Sequence, residues 1–274
     1  MRGAGKVAAA LLAALPLVAQ PLHAQPRPAM NAVKHAQATV QAVSVGATSA
    51  TLLVTLAVDD GWHVSWRNPG ETGLPTRFVW NLPAGVRAGR ETWPVPVITR
   101  SDVGVAHTLE GTVPWLVEFT LDAPSAVDRL VSLTLRYGIC RDVCIPEQLT
   151  VQGVLPGNAA GASPLAAVPP ALRARLAFDA PPVAARLTAT TGLCLDRLPR
   201  GVGASGVDMI ALPDRALDAA LPLTPAARSG AGPVRVRLPA TAQLRQPTDT
   251  VLLVAGTRGV TVPLDFRAPA PRCR

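Results

Sequence analysis

Residues 136–148 read RYGICRDVCIPEQ and place Cys140 and Cys144 around three residues. In a regular strand, residues four apart lie about 13 Å from each other at a rise of ~3.3 Å per residue, whereas a disulfide needs Cα atoms within about 7 Å. A bond between these cysteines therefore requires the backbone to turn. Such a ring closes little chain, so its entropic contribution to stability is small, which favours reversible exchange over stapling. An ordinary structural disulfide or two buried thiols remain alternatives, because C-x3-C has no unique meaning.

The residues on either side of the cysteines predict where this turn lies in a sheet. Leu133, Leu135 and Tyr137 alternate with polar residues, which is typical of a strand with one buried face. Pro146 has no amide hydrogen and is expected to end a central ladder. The pattern therefore places the sulfurs at a strand end or bulge, where one of them can meet a partner protein.

The N-terminus predicts export. Arg2 and Lys6 precede an apolar run over residues 7–19, which is typical of a secretory signal peptide ending at residue 24. The run is too short to cross a membrane, and no later stretch reaches eighteen uninterrupted apolar residues. We expect an exported protein with no transmembrane segment after signal cleavage.

Export changes the interpretation of the four cysteines, because disulfides persist in oxidising compartments. Four cysteines allow three pairings, and sequence distance favours Cys140–Cys144 and Cys194–Cys273. The second bond would close a long loop and contribute ~4 kcal/mol in the chain-entropy account. We predict that it is structural.

The formal net charge of +8 does not predict nucleic-acid binding. The arginines are scattered singly, whereas a nucleic-acid surface needs clustered basic residues, preferably with interleaved aromatic residues. The charge instead indicates a solvated basic surface with a mild preference for acidic partners or anionic membranes.

Short alternating strands separated by turn residues predict an all-β protein of two antiparallel β-sandwich domains. We expect a flexible leader over residues 25–38, a first sandwich over 39–155, an Ala/Pro-rich linker over 156–182 with a short helix near 171–178, and a second, smaller sandwich over 183–274. All five tryptophans and the single tyrosine fall in the first half. This asymmetry indicates that the first half carries the specialised surface, although most of these rings are expected in its core.

Five segments, taken as an ordered set over about residues 39–155, resemble the N-terminal exported domain of DsbD-type thiol:disulfide interchange proteins. They are Gly61–His63, Trp66–Pro75, Trp80–Gly85, Trp93–Pro96 and Cys140–Glu147. The set is most similar to the ScsB-like branch, which is associated with copper tolerance. The second half resembles that branch's tandem second domain only loosely.

The resemblance implies an immunoglobulin-like sandwich in the periplasm that acts as a thiol-disulfide oxidoreductase. It implies that electrons come from a membrane DsbD/CcdA-like donor or a thioredoxin-like protein and pass to oxidised exported proteins. By the family pattern Cys144 forms the mixed disulfide and Cys140 resolves it, without cofactor or metal. A loop that covers the pair in the family corresponds to about residues 93–107.

The chain also departs from the family. Ser65 stands where the family has an aromatic residue, and residues 105–109 replace a Tyr-Gly-Tyr run, so the usual aromatic shielding of the pair is in doubt. The family's membrane and thioredoxin-like domains are lacking in this chain, which implies either a separate electron donor or a repurposed module.

Nearby polar residues have no single interpretation. Arg141 would favour a thiolate and Asp142 would oppose it. Glu147 is either a proton-transfer group or a solvated carboxylate, and we expect His63 and His107 to be ordinary polar or packed residues.

Two other functions fit the cysteines. Cys140 and Cys144 are soft ligands that suit Cu(I), together with His63, His107 or a methionine. However, Met30 and Met209 lie far from both cysteines in sequence and Met-rich runs are missing. A structural adaptor with two inert disulfides predicts reduction potentials below about −300 mV for both bonds.

Overall fold

The computed structural model describes residues 34–157, 168–188, 192–199, 202, 207–211, 221–225, 234–237 and 248–269. The predicted signal peptide, most of the predicted leader and Cys273 lie outside the described residues.

The first sandwich is built from ten strands, and the first of them starts within the predicted leader. The strands are β1 (Ala36–Val45), β2 (Ser49–Val58), β3 (His63–Gly70), β4 (Arg77–Asn81), β5 (Val86–Thr92), β6 (Val97–Ser101), β7 (Gly104–Glu110), β8 (Thr112–Leu121), β9 (Arg129–Cys140) and β10 (Cys144–Leu155). One sheet has the order β1-β2-β8-β5, and the other has the order β10-β9-β3-β7-β6 with β4 also paired to β9. Every pairing in both sheets is antiparallel.

The core of the first sandwich follows from the alternation in its sequence. Leu52, Val54 and Leu56 on β2 are fully buried, as the period-2 pattern predicts. Trp66 and Trp115 are also fully buried, and the Trp66 indole donates a hydrogen bond to the Pro94 carbonyl at 2.9 Å. These residues join the two sheets face to face.

The remaining elements form a distal sheet of eight strands in the described part of the chain. A short helix, α1 (Pro170–Arg173), precedes β11 (Phe178–Asp179), β12 (Val183–Thr188), β13 (Gly192–Leu195), β14 (Val207–Ala211), β15 (Leu221–Pro225), β16 (Val234–Arg237), β17 (Thr248–Ala255) and β18 (Arg258–Asp265). The order is β11-β18-β12-β13-β16-β15-β14-β17, and β17 also pairs with β18. The pairs β11–β18 and β12–β18 are parallel and the others are antiparallel. The prediction of an all-β fold dominated by antiparallel sheets is confirmed.

Part of the predicted linker packs closely on the first sandwich. The Arg175 guanidinium donates hydrogen bonds to the carbonyls of Glu110, at 2.7 Å, and Thr112. The Val95 amide donates to the Arg175 carbonyl at 2.8 Å, and Leu176 bridges to Pro94. The helix is shorter than expected because the chain becomes extended at these contacts.

The distal sheet packs against the hairpin of β6 and β7. Arg100 on β6 forms an ion pair with Asp208 on β14 at 2.6 Å. Ile210, Leu252 and Val254 of the distal sheet belong to the same buried apolar cluster as the core of the first sandwich. The distal sheet therefore lies against one side of the β6–β7 hairpin.

Candidate redox site at a hairpin tip

The two cysteines close the tip of the β9–β10 hairpin. Cys140 is the last residue of β9 and Cys144 is the first of β10, and they are direct cross-strand partners with Cα atoms 4.1 Å apart. They are joined by a disulfide, and the turn between them contains a hydrogen bond from the Arg141 amide to the Val143 carbonyl at 3.3 Å. The turn required by the C-x3-C spacing is confirmed.

Strand β10 lies at the edge of its sheet. Pro146 pairs with Gly138, and an edge position allows a residue without an amide hydrogen. On its other side, the end of β9 pairs with β3 through Cys140–His63 and Ile139–Val64. One cysteine therefore sits inside the sheet and the other on its rim.

The two cysteines differ sharply in exposure. Cys140 is only 2% exposed, whereas Cys144 is an exposed residue. Apolar side chains around Cys144 are exposed as well, with Val143 at 69% and Ile145 at 42%. A partner can therefore approach Cys144 and not Cys140.

The segment that lies beside Cys140 is the loop of residues 71–76, which follows β3. Leu74 lies over Gly138, where an added Cβ would be 2.9 Å from the Leu74 Cβ. The loop is fixed at one end because Glu71 and Val105 exchange two hydrogen bonds of 2.7 Å. At the other end the Thr76 hydroxyl donates to the Ser65 carbonyl.

The stretch 93–107, expected as a covering loop, forms mostly β6 and β7. Its described contacts go to β3, to Glu71 and to the distal sheet. The Gly- and Pro-rich composition of residues 71–76 after a strand predicts a loop, but the position of this loop over Gly138 was not predicted. An open groove of about 440 Å³ runs beside it, lined by Leu74, Pro75, Arg136, Tyr137, Pro146, Glu147 and Gln148.

The charges of the turn largely neutralise each other. Arg141 Nε lies 3.3 Å from Asp142 Oδ2, and both side chains are mostly exposed. The Arg141 guanidinium also lies 5.0 Å from the ring centroid of Trp62, on which the His35 ring is stacked. Arg141 and Asp142 have opposite effects on a nearby thiolate, and an exposed ion pair of this kind contributes little to stability.

His63 and His107 have different surroundings. His107 is fully buried, with Nδ1 2.8 Å from the Asn68 carbonyl oxygen, and burial lowers its pKa. His63 is half-buried and directly opposite Cys140 on the neighbouring strand. Burial lowers the pKa of His63, and the nearby Glu110 carboxylate partly opposes this effect. His107 is a packed residue, whereas His63 lies directly opposite Cys140 in the register of the sheet.

Glu147 lies on the wrong face to serve the sulfurs. It pairs with Tyr137, whose side chain is buried in the core. Successive residues of a strand point to opposite faces, so Tyr137 and Cys140, three residues apart, face opposite sides. A proton-transfer role for Glu147 is therefore not supported.

Tyr137 offers a direct test of this packing, because it is the only tyrosine. Burial, reinforced by the negative charge of Glu147, raises the pKa of Tyr137 to about 12. The folded state holds the phenol proton more tightly than the unfolded chain, whose tyrosine pKa is about 10, so stability is lost as pH rises from about 10 through about 12. Absorbance titration at high pH is expected to show one transition near 12 in the native protein and one near 10 in denaturant. A native transition near 10 would contradict the packing.

The described residues contain no group of three or more His, Cys, Asp or Glu side chains that could hold a metal ion. Met209 is buried in the distal sheet and Met30 lies outside the described residues. No helix in the same part of the chain is long and apolar enough to cross a membrane.

Cys194 is fully buried and disulfide-bonded. Its predicted partner, Cys273, lies outside the described residues. The assignment of Cys194 and Cys273 as a structural pair stays a prediction.

Comparison with known proteins identifies the first sandwich. Residues 29–156 match the family described as thiol:disulfide interchange protein DsbD, N-terminal. The fold is similar to the N-terminal periplasmic domain of ScsB from Proteus mirabilis, with 16% identity and a TM-score of 0.56 over 86% of this chain and 96% of that one. The DsbD N-terminal domain of Neisseria meningitidis in its reduced form matches 43% of this chain and 90% of its own length, with 13% identity and a TM-score of 0.27.

No curated protein sequence matches the chain significantly. The structural likeness shows a shared fold, and the family match adds the segment that contains both cysteines of the hairpin tip. Residues 29–156 therefore match the DsbD N-terminal family of thiol:disulfide interchange proteins and share the fold of the ScsB N-terminal periplasmic domain.

Proposed function

We propose that this protein is an exported thiol–disulfide exchange protein that passes reducing equivalents to oxidised periplasmic proteins through Cys140 and Cys144. The observation that carries the proposal is the asymmetry of the hairpin tip, where an exposed Cys144 is bonded to a buried Cys140. Exchange requires a thiolate to reach a disulfide sulfur, so access decides which cysteine meets the partner.

In the reduced protein, the Cys144 thiolate attacks one sulfur of a target disulfide. A mixed disulfide forms, and the second target sulfur leaves as a thiolate. Cys140 then loses its proton and attacks the Cys144 sulfur, which breaks the mixed disulfide and releases the first target sulfur. Two electrons move from the Cys140/Cys144 dithiol to the target disulfide, and the hairpin returns to its bonded form.

The surface around Cys144 supports docking of a thioredoxin-like protein. Exposed Val143, Ile145 and Leu74 surround the tip, and aliphatic contact is the usual core of a protein interface. The family that residues 29–156 match is one of thiol:disulfide interchange proteins. We propose a DsbD/CcdA-like membrane protein as electron donor and the periplasm as location, in keeping with the periplasmic ScsB domain.

Differential alkylation tests the assignment of roles. After mild reduction, Cys144 is expected to react with iodoacetamide at least about tenfold faster than Cys140 at pH 7, because reaction needs an accessible thiolate. Quenched samples read by peptide mass spectrometry give both rates.

Leu74→Ala is expected to raise the alkylation rate of Cys140, because it shortens the side chain that lies over Gly138. Val143→Ala, on the exposed turn, is the matched control and is expected to leave that rate unchanged. Equal rates for the two cysteines in the wild-type protein, or a faster Cys140, would overturn the proposed roles.

A further inference from the structure

Four side chains with complementary chemistry form one row across the sheet. Glu110 on β7 is paired with His63 on β3, His63 with Cys140 on β9, and Cys140 with Cys144 on β10. Directly opposed residues of antiparallel strands project from the same face, with Cβ atoms about 4.5–5.5 Å apart. A carboxylate, an imidazole and the two sulfurs therefore follow one another in a line.

The row lies on the outer face of the sheet. The neighbouring pair Val64–Ile139 is buried in the core, and alternation places the side chains of His63 and Cys140 on the other face. The loop 71–76 covers that face beside them, since Leu74 lies over Gly138. His63 is accordingly half-buried and Cys140 almost fully buried, which restricts water and leaves Cys140 dependent on its protein neighbours for proton transfer.

Burial of His63 favours a neutral imidazole that can accept a proton. Burial lowers the pKa of His63 below its ordinary value, so the ring is unprotonated at pH 7. Glu110 faces it from β7 and stabilises the imidazolium that forms when a proton arrives.

Other charged groups near the row are already engaged. The Arg175 guanidinium binds the Glu110 carbonyl and also interacts electrostatically with the Glu110 carboxylate. Arg141 is paired with Asp142 beside Trp62. His35, stacked on the same Trp62 ring, is paired with Asp59. Glu110 is therefore the carboxylate partner of His63 in the row.

We propose that His63 is the proton acceptor for the resolving thiol Cys140 and that Glu110 is a positioning residue that supports the imidazolium. This inference rests on the proposed exchange function and concerns its resolving step. When Cys140 attacks the mixed disulfide at Cys144, its thiol proton passes to His63, the new Cys140–Cys144 bond forms, and the bond to the target sulfur breaks. The proton then passes from His63 to the released thiolate or to water. In the reverse direction His63 returns a proton to the departing Cys140 thiolate.

The lifetime of a mixed disulfide tests this role. Reduced wild-type protein and His63→Gln are mixed with oxidised glutathione, quenched in acid over a series of times, and the protein–glutathione adduct is quantified by mass from pH 5 to 9. An unassisted thiol has a pKa of about 8.5, so His63→Gln is expected to resolve the adduct about tenfold more slowly at pH 7, within the usual range for general base catalysis. Its rate is expected to keep rising with pH toward about 8.5, whereas the wild-type rate levels off below pH 7.

Two further variants separate proton transfer from structural damage. Glu110→Gln is expected to form the adduct at the wild-type rate and to resolve it more slowly than wild type, by a smaller factor than His63→Gln does. His35→Gln removes an imidazole from the same neighbourhood outside the row and is expected to behave as wild type.

The outcomes distinguish the two levels of proposal. An adduct that resolves in His63→Gln with the wild-type rate and pH profile overturns the role of His63 and leaves the exchange function standing. Wild-type protein that neither forms the adduct nor becomes oxidised to the Cys140–Cys144 disulfide overturns the exchange function, and the role of His63 with it.

Discussion

Replacing Cys140 by alanine is expected to convert the protein into a covalent trap. Cys144 remains exposed at the hairpin tip and can attack a partner's disulfide, but the resolving thiol is gone, so the mixed disulfide cannot be released through the hairpin. Incubation with an oxidised thioredoxin-like periplasmic protein is expected to give a 1:1 adduct that survives non-reducing electrophoresis and disappears with reductant. Wild-type protein is expected to accumulate at least about tenfold less of it.

The matched control is Cys144→Ala, which leaves only the buried Cys140. This variant is expected to form little adduct under the same conditions. Equal trapping by both variants, or trapping through Cys140 alone, would contradict the assigned roles and would place the attacking sulfur inside the sheet.

Gly70→Ala is expected to cause a large loss of stability. Gly70 ends β3 with φ +82°, and an added Cβ would lie 2.3 Å from the Val105 carbonyl oxygen. Strand β7 must then move away from β3, and the anchor of the loop 71–76 at Glu71 moves with it. We expect a decrease of about 3 kcal/mol or more in the free energy of unfolding, since backbone strain and a steric clash add. Denaturant titration followed by tryptophan fluorescence, with disulfides intact, measures it.

Gly61→Ala separates the effect of backbone strain from the effect of the steric clash. Gly61 has a similar φ of +77°, but nothing lies within 4 Å of an added Cβ. Only the conformational cost of about 1–2 kcal/mol applies. If Gly70→Ala lowers the free energy of unfolding no more than Gly61→Ala does, the close approach of β3 and β7 is not present in the folded protein.

The local geometry of the site could be predicted from the sequence because it depends on neighbours in the chain. The C-x3-C spacing requires a turn, and the sequence places the cysteines at a strand end; both are found at the β9–β10 hairpin. Pro146 does not end the ladder, because β10 is an edge strand. The alternation of Leu133, Leu135 and Tyr137 likewise gives the buried face of β9. Each of these inferences uses residues within a few positions of one another.

The parts that could not be predicted depend on register between distant strands. Positions 63, 110 and 140 meet only because β3 lies between β7 and β9, and no spacing in the sequence encodes that order. For the same reason His63 was expected to be an ordinary residue. The loop beside Cys140 was assigned to residues 93–107 by resemblance, whereas the distal sheet occupies that hairpin and the loop 71–76 lies at the site.

The most direct test of the account is the reduction potential of the Cys140–Cys144 bond in the folded, full-length protein. The protein is equilibrated with glutathione redox buffers and with a thioredoxin-like reductant, and the reduced fraction of each cysteine is read by alkylation and mass spectrometry. The account predicts one labile bond, Cys140–Cys144, that is reduced by the thioredoxin-like protein at a potential above about −300 mV, while Cys194 stays bonded. A Cys140–Cys144 bond that resists this reductant and has a potential below about −300 mV would show an inert structural disulfide and would contradict the exchange function.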